Sequence, residues 1–296
     1  MKLYSPAVIA SLKEKHNFKI SKSLGQNFLT DKNIIDKIVD GAQITEHDLV
    51  IEIGPGMGAL TAAIAERARK VIAVEIDRNL IPILTDTLTS YENIEIIHGD
   101  ILKQNLNEIS EEASGRVKIV GNLPYYITTP VIMKILEEKT NAQSITVMMQ
   151  KEVAERINAK PGTKAYGAIT VAINYYCTVH HIADVHRSVF FPKPNVDSQV
   201  LRLDVRENSP VQLIDEKAFF ACIKAGFGQR RKTLLNALTG LYGIDKVGAL
   251  NVLQNAGIDP IRRSETLNID EFATLANSLS HFTAGKPDIL PFFLQD

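Results

Sequence analysis

Short apolar runs alternate with helical segments over the first half of this chain, and that alternation constrains the fold more than any other feature. The runs are rich in Val and Ile, as is typical of buried strands. Strands that alternate with helices form a mostly parallel sheet covered by helices. The sequence therefore predicts an α/β fold. The predicted strands are 49–53, 71–75, 94–97, 117–120 and 144–149, with helices at 59–68, 80–88 and 131–138.

A different pattern follows. Three runs rich in β-forming residues, at 169–179, 182–189 and 199–205, have short connections and are predicted to be antiparallel strands. The segment 207–210, Glu-Asn-Ser-Pro, has the composition of a linker.

Beyond the linker the pattern becomes helical, which predicts a small all-helical second domain. We expect a first domain over 1–206, a helical domain over 210–281 and a tail over 282–296. The predicted helices of the second domain are 216–225, 230–238, 246–255 and 269–279.

Bulk composition excludes several classes of protein. With 33 Lys and Arg against 34 Asp and Glu, the chain has no global basic signature, so any nucleic-acid contact must come from a local patch. Cys177 and Cys222 lack metal-ligand spacing, which predicts no metal site and a reducing compartment. No apolar run approaches the roughly 18 residues of a membrane span, and the N-terminus has no apolar signal core. We therefore expect a cytoplasmic protein with no membrane partner.

A glycine-rich turn at 52–58, Glu-Ile-Gly-Pro-Gly-Met-Gly, lies between the first strand and its helix. Three interpretations of this turn are possible: a tight turn that binds no ligand, a dinucleotide site, or a site for a cofactor without phosphates. Pro55 has no N–H for a pyrophosphate and position 59 is not glycine, which favours a cofactor without phosphates. Glu75 ends the second strand, where a carboxylate binds ribose hydroxyls, and Asp100 follows the third, where it can accept from an adenine amino group. These residues predict S-adenosylmethionine rather than NAD.

The segment Asn122-Leu123-Pro124-Tyr125 follows the fourth strand and suits chemistry on an aromatic amine. The exocyclic nitrogen of adenine is a poor nucleophile because its lone pair is delocalised into the ring. If the Asn122 side-chain oxygen and the Leu123 carbonyl accept its N–H bonds, the nitrogen can pyramidalise. Pro124 fixes φ, and Tyr125 can stack on the base. A proline turn with ordinary packing tyrosines is the alternative interpretation.

Cations concentrate in the predicted helical domain. Residues 218–264 contain seven Lys and Arg against two Asp. The segment Gly228-Gln229-Arg230-Arg231-Lys232 is predicted to open a helix, where backbone N–H groups and cations can meet phosphates. A solvated helix face is the alternative. The concentration favours RNA contact, with Lys224, Arg230, Arg231 and Lys232 as the candidate residues.

Six motifs in order resemble those of the rRNA adenine N6,N6-dimethyltransferases. The similarity runs from about Ile20 to about Leu279 and is greatest to the bacterial small-subunit branch associated with kasugamycin sensitivity. It implies a Rossmann-like S-adenosylmethionine-dependent methyltransferase domain with a small all-helical C-terminal domain. The motifs lie at 22–29, 52–58, Glu75, Asp100, 122–126 and 190–198.

The resemblance also implies a role for each cofactor-binding residue. Asn27 and Leu29 are expected to contact S-adenosylmethionine from the N-terminal segment, and Gly54 is expected to line its methionine end. Glu75 is expected to hold the ribose and Asp100 the adenine.

For the target base, the resemblance implies that Asn122 contacts both the cofactor and the amine. Tyr125 and Phe190 are expected to sandwich a flipped adenine, with Phe190 chosen over Phe191 because it lies two residues before Pro192. Leu123 is hypothesised to shape the room that two methyl groups need.

The implied reaction is dimethylation of N6 on two adjacent adenosines near the 3′ end of 16S rRNA in the small ribosomal subunit, with a role in subunit maturation. The enzyme is expected to be a monomer. Three alternatives stay open. A large-subunit methyltransferase of the macrolide-resistance type shares most motifs, although the 226–232 segment favours the small-subunit branch. An assembly factor would act mainly by binding pre-ribosomal RNA, and a dehydrogenase would bind NAD.

Overall fold

The computed structural model describes residues 2–110 and 117–284. The chain divides into two compact units. Within the described residues, unit 1 comprises 2–110, 117–154 and 178–205, and unit 2 comprises 155–177 and 206–284. The linker prediction at 207–210 lies next to this division. The segment 155–177, which the sequence assigned to the first domain, instead packs within unit 2.

Unit 1 contains a seven-stranded sheet in the order β4-β3-β2-β5-β6-β9-β7. The strands from β4 to β6 in this order run parallel, and β9 pairs antiparallel with β6. A separate antiparallel pair joins β1 to β8. The prediction of a mostly parallel α/β sheet is confirmed. The strands are β1 (Phe28–Leu29), β2 (Leu49–Ile53), β3 (Lys70–Glu75), β4 (Ile94–His98), β5 (Val117–Asn122), β6 (Ala142–Gln150), β7 (Cys177–Val185), β8 (Phe190–Phe191) and β9 (Ser198–Val205).

Three of the first seven helices, at 59–65, 81–87 and 128–137, confirm the helices predicted at 59–68, 80–88 and 131–138. The Asp31 carboxylate accepts from the backbone N–H groups of Asn33 and Ile34 and so caps the N-terminus of α2. Apolar side chains of α2 and α3 pack in one cluster with β2 and β3, and those of α1 and α4 pack in another. The helices are α1 (Pro6–Lys15), α2 (Lys32–Gly41), α3 (Ala59–Ala65), α4 (Ile81–Thr87), α5 (Leu106–Ser110), α6 (Thr128–Glu137) and α7 (Lys151–Ile157).

The strand predicted at 169–179 is wrong over most of its length. Residues Ala168–Tyr176 form helix α8, and β7 begins only at Cys177. Val171 and Tyr175 stand four residues apart, so a helix places both on one face, where they join the buried core of unit 2 with Phe219. Packing in unit 2 therefore overrides the β propensity of this run.

Unit 2 is helical, as predicted for the second domain. Its core surrounds Phe219 and Phe272, both fully buried. Helix α12 continues to Thr283, two residues into the predicted tail, and residues 285–296 lie outside the described residues. Among residues 2–110 and 117–284, no helix has the length and apolarity needed to cross a bilayer. The remaining helices are α9 (Glu216–Gly228), α10 (Leu234–Leu238), α11 (Lys246–Asn255) and α12 (Ile269–Thr283).

Candidate active site

A cavity of about 260 Å³ opens in unit 1 where β2, β3 and β5 end. Open α/β sheets bind ligands at the carboxyl ends of their strands, where the strand order reverses. Here the reversal lies between β2 and β5, since β3 and β4 extend the sheet on one side and β5 and β6 on the other. The cavity brings together all the residues predicted to bind the cofactor and the adenine. They are Asn27, Leu29, Gly54, Glu75, Asp100, Asn122, Leu123, Tyr125 and Phe190.

The glycine turn forms the wall of the cavity next to β2. Gly54 and Gly56 have φ values of +70° and +62°, in the left-handed region that glycine adopts at little steric cost. A Cβ atom at Gly56 would stand 3.1 Å from the Phe28 ring. Ile53 pairs with Gly121 of β5, so the next residues, Gly54 and Asn122, lie side by side at the reversal point. The backbone thus approaches the cavity closely beside the predicted catalytic amide.

Glu75 is buried at the end of β3 and is held by two backbone donors. Its carboxylate oxygens accept from the N–H of Gly56 at 3.2 Å and from the N–H of Asp77 at 2.8 Å. Burial raises the pKa of Glu75, and these two hydrogen bonds oppose that shift. The carboxylate is therefore fixed in position, with its remaining lone pairs available to a ligand hydroxyl.

The N-terminal segment reaches the cavity through a short hydrogen-bond chain. The Gln26 amide donates to an Asp77 carboxylate oxygen at 2.7 Å, and its own oxygen accepts from the Ser21 N–H at 2.8 Å. Leu29 pairs with Phe190 in the β1–β8 ladder. These contacts explain how residues far apart in sequence come to line one cavity with β3.

Asn122 has its amide nitrogen engaged. Its Nδ2 donates to the Asn27 carbonyl at 3.0 Å, which leaves Oδ1 as the acceptor atom of this side chain. Leu123 follows with its side chain buried, and its N–H donates to the Met148 carbonyl at 3.4 Å. Strand β5 thus ends with a fixed amide acceptor at the cavity.

The two aromatic candidates are held differently. The Tyr125 hydroxyl lies 3.3 Å from the Ser198 Oγ at the start of β9. Phe190 is 5% exposed and lines the cavity, whereas Phe191 is 41% exposed, with Lys13 Nζ 5.3 Å from its ring centroid. Successive strand residues point to opposite faces, so β8 directs only one of its two phenylalanines inward.

Glu52 is a cavity residue that the sequence interpretation missed. It stands in β2, in register with Ala73 of β3 and Val120 of β5, and is 1% exposed. Burial raises its pKa to about 8 and the Glu75 carboxylate adds to the shift. The neighbouring Thr61 hydroxyl opposes that rise in pKa, but burial outweighs it. Within the described residues the Thr61 hydroxyl has no hydrogen-bond partner of good geometry. An ionisable residue inside an otherwise apolar strand run was the available signal.

The described residues of the cavity lining include three carboxyl groups but no Lys, Arg or His. A phosphate-bearing cofactor would lack a cationic partner in this lining, whereas a cationic cofactor would meet Glu52, Glu75 and Asp100. Asp100 accepts from the Leu102 N–H at 3.0 Å through one carboxylate oxygen. Across the part of the chain that the structure describes, no cluster of His, Cys, Asp or Glu has the arrangement of a metal site.

The predicted RNA-binding residues lie in unit 2, but their local structure corrects the prediction. Residues 229–232 form a turn after α9, and α10 begins only at Leu234, so no helix starts at the basic segment. Arg230 donates to the carbonyls of Lys164 and Tyr166 at 2.9 and 3.1 Å, and lies 3.6 Å from the Glu265 carboxylate. Its guanidinium is thus bound within unit 2.

Arg230 is itself exposed, and so are the other cations of this segment. Arg231 and Lys232 project from the turn, which we call the basic turn (residues 229–232), and Lys224 is exposed on α9. Lys160 and Lys164 are exposed in the loop whose carbonyl Arg230 binds. The contacts of Arg230 thus place a second basic loop beside the basic turn. The sequence analysis had assigned that loop to the first domain.

Comparison with known proteins identifies extended similarity. The family described as Ribosomal RNA adenine dimethylase matches residues 17–280. Two curated relatives are both named Ribosomal RNA small subunit methyltransferase A. The protein of Clostridioides difficile (strain 630) is 52% identical over 275 residues, covering 92% of this chain and 95% of the relative. The protein of Anoxybacillus flavithermus (strain DSM 21510 / WK1) is 52% identical over 281 residues, covering 93% and 95%.

Solved structures show the same architecture. A dimethyladenosine transferase from Plasmodium falciparum matches with a TM-score of 0.72 and 28% identity, covering 83% of this chain and 95% of that one. The 23S rRNA methyltransferase ErmE matches with a TM-score of 0.64 and 27% identity, covering 86% and 99%.

Proposed function

Because the chain belongs to the ribosomal RNA adenine dimethylase family, we propose that it dimethylates N6 of two adjacent adenosines near the 3′ end of 16S rRNA, in the small ribosomal subunit. The family uses S-adenosylmethionine as its methyl donor. Relatives that are 52% identical carry a small-subunit name, whereas the 23S enzyme ErmE is 27% identical, which favours the small subunit over the large one. We place the protein in the cytoplasm as a monomer with a role in subunit maturation.

The observation that carries the proposed chemistry is the orientation of the Asn122 amide. Its nitrogen donates to Asn27, so its oxygen is the atom left to accept from a target amine. The Leu123 backbone carbonyl is the proposed second acceptor. Hydrogen bonds to both amine hydrogens favour a pyramidal nitrogen, whose lone pair is no longer delocalised into the ring. A monomethylated amine retains one N–H, which one acceptor can hold for the second transfer.

The residues lining the cavity suit S-adenosylmethionine. When bound, this cofactor supplies a methyl group already activated on a cationic sulfonium. In our proposal Glu75 accepts from the ribose hydroxyls, Asp100 from the adenine amino group, and Gly54 leaves room for the methionine end. Asn27 and Leu29 complete the site from the N-terminal segment. The acidic lining matches the positive charge of the cofactor, and a buried Glu52 oxygen without a hydrogen-bond partner among the described residues awaits a donor.

Catalysis at such a site is mainly positioning, because an activated methyl needs only a correctly placed nucleophile about 3 Å away. The ammonium formed after transfer is acidic and can lose its proton to water, so no strong base is required. Tyr125 and Phe190 are proposed to stack on the flipped adenine, each contact returning roughly 1–3 kcal/mol against the cost of unstacking.

RNA docking is proposed for exposed cations of unit 2. Lys224, Arg231 and Lys232 would neutralise phosphates and release counterions, which strengthens binding at low salt. Arg230 is proposed to support this surface, since its guanidinium holds the 160–164 loop beside the basic turn. Phosphate contacts of this kind position the enzyme on the subunit without reading sequence.

The direct test incubates the protein with labelled S-adenosylmethionine and small subunits that lack the modification. We expect N6,N6-dimethyladenosine in 16S rRNA after digestion to nucleosides, and no product in 23S rRNA from large subunits. Product in 23S rRNA alone would favour the large-subunit alternative. Full rescue of subunit maturation in a deletion strain by a methylation-inactive Asn122→Ala protein would instead indicate an assembly factor that acts mainly by binding.

A further inference from the structure

The charge of the cavity is unbalanced. Glu52, Glu75 and Asp100 line it, and the described lining residues include no basic side chain. Glu75 and Asp100 each accept backbone hydrogen bonds. Glu52 differs from both, because its Oε2 has no hydrogen-bond partner in the part of the chain that the structure describes. Its ionisation is therefore the one that a ligand is best placed to change.

The surroundings of Glu52 favour the neutral acid in the free protein. Its register neighbours Ala73 and Val120 are apolar and buried, so they offer the carboxylate no solvation. From β3, Glu75 places a second negative charge nearby. The Thr61 hydroxyl of α3 acts in the opposite direction, but its effect is smaller than that of burial. With the pKa of Glu52 at about 8, the carboxyl group is protonated at pH 7. A buried acid in a cavity that faces a ligand is a candidate for ligand-linked ionisation.

We propose that Glu52 loses its proton to solvent when S-adenosylmethionine binds, and that the resulting carboxylate accepts a hydrogen bond from the α-ammonium of the methionine moiety. This inference rests on the proposed cofactor function. The cofactor carries a net positive charge at pH 7, which stabilises a carboxylate in a cavity of low polarity. The ammonium is the part of the cofactor that provides charged N–H donors, which the sulfonium lacks. No other bond is made or broken, so the bound state differs by one released proton.

Proton release is measured by calorimetric titration of the full-length protein with S-adenosylmethionine in buffers of different ionisation enthalpy. At pH 7 we expect roughly 0.8 proton released per cofactor bound. Glu52, with a pKa of about 8, gives up about 0.9, and the small neutral fraction of the cofactor α-amine takes up about 0.1. The dissociation constant should tighten by up to about tenfold per pH unit from pH 6 to pH 7. Closer to pH 8 this trend should level off, because the α-ammonium of the free cofactor has an ordinary pKa of about 7.7–8.0 and begins to lose its own proton. Binding enthalpy that does not depend on the buffer at pH 7 would overturn the inference.

Two analogues locate the group that drives the release. S-Adenosylhomocysteine keeps the α-ammonium and lacks the sulfonium charge, and it should still release a proton. 5′-Methylthioadenosine lacks the amino-acid portion and should bind without release. Equal release with both analogues would show that the ammonium is not the partner of Glu52, and would overturn the assignment.

Variants test the residue itself. Between pH 6 and pH 7, Glu52→Gln should abolish the release and make the affinity nearly independent of pH, whereas Glu95→Gln, at a half-exposed strand glutamate paired with Lys70, should retain both behaviours. Retained release in folded Glu52→Gln protein would sink the proposal. If that variant does not fold, the buffer series and the two analogues, both measured on the unmodified protein, still test whether cofactor binding releases a proton and which cofactor group causes it. Absence of any cofactor binding would reject the proposed function as well, whereas binding and methylation without proton release would reject only this inference.

Discussion

The cavity of unit 1 and the basic turn of unit 2 are expected to hold their ligands by opposite means. In the cavity the Asn122 amide is held on Asn27, and the Glu75 carboxylate is held on two backbone N–H groups. In the basic turn, Arg231 and Lys232 are exposed. The first site selects by geometry, whereas the second attracts by charge.

This difference sets the size of the effect that a substitution should have. A buried donor or acceptor left without its partner costs about 1–3 kcal/mol, and more when it is charged. An exposed cation is hydrated and screened by salt, and each phosphate contact adds a small, roughly equal share. Single substitutions should therefore have large effects on cofactor binding and methyl transfer in the cavity, and small effects on RNA binding in the basic turn.

The largest effect is expected from Asn122→Ala. It removes the proposed acceptor for the target amine and the hydrogen bond that holds the Asn27 carbonyl. By analogy with the loss of one preorganised transition-state contact, the rate of methyl transfer should fall by about 10²-fold to 10³-fold. Single-turnover methylation of small subunits at saturating S-adenosylmethionine measures the chemical step.

Asn122→Asp is the matched control for that prediction. It keeps acceptor oxygens but loses the Nδ2 donor to Asn27. It therefore separates the role of Asn122 as acceptor for the target amine from its role as donor to the Asn27 carbonyl. Activity close to that of the unmodified protein in Asn122→Ala would contradict the proposed role in catalysis.

Glu75→Gln should weaken cofactor binding by about 10²-fold. The new amide N–H₂ group would face the backbone N–H groups of Gly56 or Asp77, so one of the two hydrogen bonds is lost along with the charge. Calorimetric affinity for S-adenosylmethionine gives the measurement. Glu95→Gln is again the control, and an unchanged dissociation constant for Glu75→Gln would remove ribose binding from its proposed roles.

Neighbouring phenylalanines provide the next comparison. Phe190→Leu should lower kcat/KM for the RNA by about 10-fold to 100-fold through lost stacking, with little change in cofactor affinity. Phe191→Leu changes a side chain that is 41% exposed and absent from the described cavity lining, so it should have a much smaller effect. Equal losses for both variants would argue that β8 acts through packing alone.

The cavity was largely predictable from sequence because its residues stand at strand ends. Glu75, Asp100 and Asn122 each end or follow a strand, and parallel strands bring such positions to one edge of the sheet. Glu52 was missed because it was treated only as part of the first strand and of the glycine-rich turn, and no role was assigned to its side chain. No spacing rule reveals that its oxygen lacks a partner, since that depends on the side chains of adjacent strands.

The helical unit was less predictable. The run 168–176 is rich in β-forming residues, and only its packing against the core of unit 2 makes it a helix. The segment at 230–238 has a helical composition, but Arg230 binds two carbonyls of the 160–164 loop region and the helix begins at Leu234. Both differences arise from contacts between segments that are more than 40 residues apart. The local sequence pattern contains no information about such contacts.

The smallest effects are expected in the basic turn. Arg231→Ala and Lys232→Ala should each weaken RNA binding only a few-fold at physiological salt. Each should also reduce the slope of log affinity against log salt by about 0.7 to 0.9, the share of one phosphate contact. Fluorescence anisotropy with labelled small-subunit RNA over a salt series gives both quantities. An unchanged slope in the double variant would exclude the turn from RNA docking.

Arg230→Ala sharpens the comparison because it changes the adjacent residue with a different role. Its guanidinium binds the carbonyls of Lys164 and Tyr166, so its loss should lower the thermal unfolding temperature of the protein. Arg231→Ala removes an exposed side chain and should leave that temperature unchanged. A stability effect confined to Arg230 and a salt effect confined to Arg231 and Lys232 would show that adjacent cations divide between structure and binding. The reverse pattern would mean that the hydrogen bonds of Arg230 to the two carbonyls do not separate its role from those of Arg231 and Lys232.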